Sequence, residues 1–307
     1  MKLEGIHHIT AITGDAVGNV EFYAGVLGLR MIKKTVNQDD PTVYHLFYGD
    51  EHGSPGMDLT FFEYPGAAPG RAGAGMVHRI VWRVSSEETL SFWKDRLKAH
   101  GVEGTLTQGS LLFADPEGLE HELLPTSSQE PPLTAVSREI PSEHALQGFD
   151  GVRAYTIDPS RSEGLLSETL GFERDGSERW EVRGEERSGF YAYDAAPGEF
   201  SPRPGAGTVH HVAFASRPED HEAWRERVAE GGAHPTPVID RFYFRSVYFR
   251  EPSGVLFEIA TIGPGFAVDE DEAHLGEGLS LPPRFEALRA QLETTLTPLP
   301  NPRTPHS

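Results

Sequence analysis

The sequence predicts an α+β fold in which four βαβββ modules pair into two curved-sheet cups. Three features of the 307-residue chain point there. A short β-like run recurs four times. Each run leads into a helix-like segment that stops at a glycine, and acid-Pro-x-Gly turns punctuate the strands that follow. A module of four strands has a sheet face that it cannot bury alone, so such modules should pair around shared cavities.

The first module opens with Gly5–Ile12 (GIHHITAI), and its helix runs from about Asp15 to Leu27 before Gly28. Gly75–Val84 opens the second. Its helix has Ser85 and Glu88 as an expected capping box, Leu90, Trp93 and Leu97 on one face, and Gly101 as its stop. The turn Asp115-Pro-Glu-Gly118 then leads into the strand LEHELL. The Ser/Pro-rich stretch 126–148 reads as a linker, dividing modules one and two (1–144) from modules three and four plus a C-terminal tail (145–307). Module three opens at Gly151–Ile157, with a helix from about Ser160 to Leu170 before Gly171. Module four opens at Gly207–Ala215, pairs Ser216 with Glu219, carries Trp224 and Val228, and stops its helix at Gly231. Its strand Arg241–Phe249 is followed by the turn Glu251-Pro-Ser-Gly254 and by VLFEIA. From Gly263 the tail has an acidic run, a short helix near Arg284–Thr294 and a Pro-rich, frayed end. His8, Arg79, Arg153 and His211 stand at the four strand midpoints, at nearly constant distance from the helix-stop glycines.

Composition removes several function classes. A formal charge of −20 has the wrong sign for a protein that lives on nucleic acid or anionic membrane surfaces. With no Cys, thiolate nucleophiles, Cys-bound zinc and iron–sulfur clusters are excluded together. No stretch is apolar enough to span a membrane, and MKLEGIHHIT lacks the layout of a signal peptide, so the expected location is the cytoplasm.

Any metal must therefore be held by His, Asp or Glu. Fourteen His make less than one adjacent pair expected by chance, yet His7-His8 and His210-His211 occupy the first strands of modules one and four. Glu258 lies four residues past Gly254 in an otherwise apolar strand and needs a partner there. Two imidazoles and one carboxylate form the facial ligand set that suits non-haem Fe(II) oxygen chemistry, which assigns His8, His211 and Glu258 to a metal. Ligands to one ion must share a cavity, so modules one and four are expected to build the metal cup and modules two and three the other. In the other cup Arg79, Arg153 and Glu122 should form a salt-bridge cluster instead. Thr60 stands where a fourth ligand would come from module one, with Asp58 in the same strand parity. The strand Arg241–Phe249 should line the metal cup, with Tyr243, Arg245, Val247 and Phe249 on one face. Its Arg241 and Tyr248 are the polar groups most useful to a phenolic substrate.

The HHIT near the N-terminus, HHVAFA in module four, RFYFRSVYFREPSGVLFEIAT and GPGFAVDEDEAHLG together resemble the vicinal oxygen chelate superfamily. More narrowly, they resemble its hydroquinone ring-cleaving dioxygenases over nearly the whole chain. The resemblance implies Fe2+, with Mn2+ as the alternative ion, on His8, His211 and Glu258. It implies catalytic roles for His7, His210, Thr10, Arg241 and Tyr248 around them, with His210 or Tyr248 as the leading acid–base group. The expected partners are a small aromatic substrate and O2, with no nucleic acid, no membrane and a homo-oligomer as an open option. Two other readings are a glyoxalase-type lyase or isomerase, which a fourth ligand at Asp58 or Thr60 would favour, and a metal-free protein that binds an aromatic compound or antibiotic.

Overall fold

The computed structural model describes residues 1–198 and 201–301; the end of the Pro-rich terminus lies outside the described residues. Each module contributes four strands. Module one has β1 (Ile6–Thr13), β2 (Arg30–Val36), β3 (Tyr44–Gly49) and β4 (Asp58–Glu63), and module two has β5 (Met76–Val84), β6 (Thr105–Leu106), β7 (Leu111–Ala114) and β8 (Glu120–Pro125). Module three has β9 (Phe149–Thr156), β10 (Glu173–Arg174), β11 (Arg179–Arg183) and β12 (Ser188–Ala195). Module four has β13 (Thr208–Ser216), β14 (Ile239–Asp240), β15 (Arg245–Arg250) and β16 (Leu256–Thr261). The strands form two eight-stranded sheets, ordered β14-β15-β16-β13-β1-β4-β3-β2 and β10-β11-β12-β9-β5-β8-β7-β6.

After the first strand of each module the chain turns helical. In module one α1 (Ala16–Val20) widens into a π-type turn through Val26, and in module two α2 (Glu87–Ala99) follows. Ser86, rather than Ser85, caps α2 by accepting from the Thr89 amide, while the Ser85 hydroxyl bonds the Glu143 carbonyl. Module three keeps only short helical turns at Pro159–Ser162 and Gly164–Thr169, and module four has α3 (His221–Glu230). Ser216 does not cap it; its hydroxyl meets His221 Nδ1 at 2.9 Å. The helix in the tail is α4 (Arg289–Thr295).

The two central ladders, β1 against β13 and β5 against β9, run antiparallel and are each interrupted twice by an extra residue. The interruptions fall at His7 and His210 in one ladder and at His78 and Asp150 in the other. A bulge lets two consecutive side chains reach the same face of a sheet. This is how the two imidazoles of each His-His pair meet through their Nδ1 atoms although strand side chains alternate. The register also corrects the alignment of the modules. His8 and Arg79 follow equivalent bulges and face Ala213 and Arg153, so the position matching His211 is Gly151 and not Arg153. The glycine that opens module three is then Gly148, at φ +94°, the counterpart of Gly5, Gly75 and Gly207. With Gly151 as the midpoint, the interval to Gly171 equals those from His8 to Gly28 and from His211 to Gly231.

One continuous core joins the two sheets. It takes Ile9, Ala11, Val212 and Phe214 from one and Ile80, Trp82, Val152 and Ala154 from the other, together with helix residues such as Trp93 and Trp224. The opposite, concave faces differ in chemistry. On the first sheet Ile32, Phe47, Tyr243, Phe244 and Phe266 make a small apolar cluster. On the second only Val81, Phe190 and Ala192 cluster, among charged neighbours. There Arg79 pairs with Glu120 at 2.9 Å and Glu122 at 3.5 Å, while Arg153, two residues past the position that matches His211, pairs with Asp194 instead of Glu122.

The tail straps across the first cup. Lys33, fully buried on β2, donates to Asp269 at 2.8 Å and to the Phe266 carbonyl at 2.9 Å, and also pairs with Glu270. Phe266 packs on Phe47 and Tyr243, and Leu279 bridges to Lys34 beside the edge strand β2.

Candidate metal centre

His8 (β1), His211 (β13) and Glu258 (β16) come from three adjacent strands and are all buried. Among the described residues they form the one group of three or more such side chains whose ligand atoms converge, all within 4.8 Å of one another. His8 Nε2 lies 3.1 Å and His211 Nε2 2.9 Å from Glu258 Oε2, and the two Nε2 atoms are 3.2 Å apart. Three ligands at right angles around an ion, each at roughly 2.1 Å, stand about 3 Å from one another. The observed triangle has that size.

The tautomers follow from the outer partners. His7 Nε2 is 3.2 Å from the Thr261 carbonyl, which can only accept, so this nitrogen carries a proton. Burial, with a smaller contribution from His8, lowers the His7 pKa to about 3, so the ring is neutral and its Nδ1 is an acceptor. His8 Nδ1, 2.9 Å away, must then donate, and His8 Nε2 is left with a lone pair facing Glu258. His210 Nδ1 lies 2.8 Å from His211 Nδ1, and partial desolvation of its ring, then His211, lower its pKa to about 4. Burial alone would raise the Glu258 pKa, and only positive charge or N–H donation on the His8 and His211 side would hold it well below the usual carboxylate range. Both Glu258 oxygens nevertheless lack hydrogen-bond geometry to any partner among the described residues. Two lone pairs and a carboxylate aimed at one buried point repel unless a cation joins them, so this donor set fits a metal ion.

Around the triad lies a slot lined by Thr10, Asn37, Asp39, His45, Phe62, Arg241, Tyr243, Phe244 and Tyr248, among others. Thr10 stands beside His211 in the ladder, and its hydroxyl is 2.8 Å from Thr60 Oγ1. The Tyr248 ring meets the His211 ring edge-on at 5.6 Å, and burial raises its phenol pKa. Arg241 crosses the mouth to make two 3.0 Å bonds to Asp39. His7 is buried behind His8, whereas His210 sits exposed on the rim. The slot is narrow, with about 30 Å3 open to the centres of water-sized spheres.

The region expected as the strand Arg241–Phe249 is a strand only from Arg245. The chain is bent through Phe242–Phe244, with Phe242 at φ +70°, so the alternation of the strand does not extend back to Tyr243, and Tyr243 and Tyr248 both reach the slot. Arg245 turns away to the Pro218 carbonyl, and Phe249 joins the central core. Thr60 is engaged by Thr10 and by His45, and Asp58, buried with neither oxygen hydrogen-bonded among the described residues, does not join the ligand cluster. The residue that sequence reasoning missed is His45 on β3. The alternation of Tyr44–Gly49 would have placed His45 and Phe47 on one face, but nothing local says which cavity that face lines.

A curved sheet made of two βαβββ modules, with two histidines and one glutamate converging at its centre, defines a protein of the vicinal oxygen chelate fold. The chain belongs to the Glyoxalase/Bleomycin resistance protein/Dioxygenase superfamily, whose family model matches residues 5–123 and 148–259 and leaves out the linker between them. It is 39% identical, over 97% of its length and 100% of the relative's, to a Bacillus subtilis protein named "Putative ring-cleaving dioxygenase MhqA". It is 32% identical, over 96% of each chain, to the chlorohydroquinone/hydroquinone 1,2-dioxygenase of Sphingobium indicum. A crystal structure from Bacillus subtilis superposes with a TM-score of 0.91 at 38% identity, covering 98% of both chains. Glyoxalase I from Zea mays, at 16% identity and a TM-score of 0.57 over 89% of this chain and 96% of that one, shares the fold.

Proposed function

We propose that the protein is an Fe(II)-dependent extradiol-type dioxygenase that cleaves the ring of hydroquinone or catechol-like aromatics in the cytoplasm. The observation that carries this reading is the buried triangle of His8, His211 and Glu258, three unprotonated ligand atoms beside a slot walled by aromatic rings. The names of the curated relatives support it. Ferrous ion held there would supply adjacent sites for a ring oxygen and for O2, and an electron path between them.

The chain's own residues do the rest. Two neutral imidazoles and one carboxylate bring a single negative charge, which leaves a dication able to stabilise a phenolate. Phe62, Phe244 and Tyr248 surround the ligands and keep bulk water from the ring face. The neutral His210 ring on the rim has a nitrogen able to take the proton released by a ring hydroxyl, and the Tyr248 phenol, held protonated by burial, can donate one. Arg241 must leave Asp39 to reach a substrate, which couples opening of the mouth to binding. A glyoxalase-type reaction would use a fourth protein ligand, and the position for it holds Thr60.

The test is oxygen uptake by protein reconstituted anaerobically with Fe2+, over hydroquinones and catechols, with His211→Ala as control. Stoichiometric uptake with a ring-opened product, abolished in the control, supports the proposal. No uptake across the panel by protein holding one iron per chain overturns it.

A further inference from the structure

The wall of the slot opposite Tyr248 holds a polar group in a setting that would suit an apolar one. His45 lies between Phe47 and Phe62, with ring centroids 4.0 and 4.4 Å away. Its Nε2 is 2.9 Å from Thr60 Oγ1, which in turn is 2.8 Å from Thr10 Oγ1. Its Nδ1 has no hydrogen-bond partner among the described residues, and the ring lines the slot. A phenyl ring would fill this place without leaving a nitrogen unpaired, so packing does not explain the imidazole.

The modules' internal symmetry sharpens the point. Tyr248 on β15 faces Glu258, and its counterpart on β3 is Phe47, which faces Thr60. His45, two residues before Phe47, therefore has Ser246 as its counterpart, and the two halves of the cup differ there. The sheet order places Tyr248 and Glu258 on one side of the two ligand histidines and Thr60 and His45 on the other. β3 stands two strands beyond β1, and the curl of the sheet brings His45 into the same slot that His8, His211 and Tyr248 line. A ring whose first oxygen meets the ligand triad beside Tyr248 would lie in that slot with its far oxygen toward the His45 wall.

We propose that His45 is a specificity-determining residue that receives, at Nδ1, the ring hydroxyl farthest from the metal ligands, with Thr60 fixing the imidazole's orientation. The inference rests on the dioxygenase reading, and it narrows the substrate to rings carrying hydroxyls at opposite positions. Because a hydroxyl both donates and accepts, either neutral tautomer satisfies the contact. In one of them His45 Nε2–H donates to Thr60, and Thr60 donates to Thr10. The ring is neutral because burial, followed by His8 and His211, lowers its pKa well below the usual value.

The experiment is an anaerobic titration of Fe2+-loaded protein with hydroquinone and with phenol, which lacks the far hydroxyl. Binding needs no oxygen, so the result is independent of whether the ring is cleaved. Wild type should prefer hydroquinone by on the order of tenfold, the worth of one hydrogen bond made inside the slot. His45→Asn, whose amide stands where Nδ1 stood, should keep most of that preference. His45→Gln reaches only toward Thr60 and should lose it, with iron content and phenol affinity unchanged. Equal affinity of wild type for the two ligands overturns the proposal, and so does a preference that survives in His45→Gln. Oxygen uptake measured on the same samples reports separately on the dioxygenase reading: a binding preference without uptake would refute that reading and leave the role of His45 standing.

Discussion

Replacing Lys33 by Met keeps the aliphatic stem and removes the charge that holds the tail on the metal cup. The ammonium lies at 0% exposure against Asp269, Glu270 and the Phe266 carbonyl, 5.0 Å from the Tyr243 ring. Removing one member of a buried ion pair costs roughly 3–5 kcal/mol. Here Asp269 and Glu270 keep 18% and 16% of their side-chain surface, and Asp269 retains its bonds from Tyr243 at 3.0 Å and Ser280 at 2.7 Å. The expected loss is therefore smaller, about 2–3 kcal/mol, or roughly 5 °C in Tm for a chain of this size. Calorimetry of Lys33→Met reads the stability, and limited proteolysis within 263–280 reads whether the strap has lifted. Adding Asp269→Asn and Glu270→Gln to Lys33→Met should recover part of the loss, since two uncompensated acids are then gone. An unchanged Tm together with unchanged cleavage of the tail would refute the claim that this ion cluster fastens it.

Three further outcomes are expected. Asp115 is buried, and desolvation pushes its carboxyl up to about 6 despite hydrogen bonds from the Leu119 and Glu117 amides and Tyr23. The folded state then holds this proton to higher pH than the unfolded state does. Its contribution to stability falls by roughly 2–3 kcal/mol as pH rises from about 4 to 6. Urea titrations of wild type and Asp115→Asn over that range should diverge in the variant's favour as pH increases, and parallel profiles would exclude the shift. Gly207 has φ +78°, and a Cβ there would lie 2.1 Å from the Glu117 carbonyl oxygen. Gly207→Ala should therefore lose at least about 2 kcal/mol by urea denaturation, and a smaller change would mean that the turn relaxes freely. His210→Asn should lower turnover on the order of a hundredfold while sparing iron content; equal losses in both would remove the acid–base role.

The local sequence carried the modular plan. Apolar alternation, helix-stop glycines and the turns at Asp115 and Glu251 are short-range features, and the chain folds at them as their chemistry requires: both acids accept the amides of their own turns. The chemistry of the centre was also legible, because two His-His pairs and one Glu in an apolar strand have no inexpensive use other than pairing with something. Register was not legible. A bulge is one extra residue that only the partner strand reveals, so Arg153 looked equivalent to His211 until the ladder placed Gly151 there. The bend through Phe242–Phe244, which lets Tyr243 and Tyr248 share one slot, is likewise invisible to a strict alternation of faces. His45 and Lys33 needed tertiary structure for a related reason. Their partners, Thr60 across a strand and Asp269 far along the chain, are chosen by how the sheet curves and where the tail returns. What the sequence determined was which residues were costly to bury; which of them meet was decided by long-range strand pairing, where one step of register moves a side chain to the opposite face.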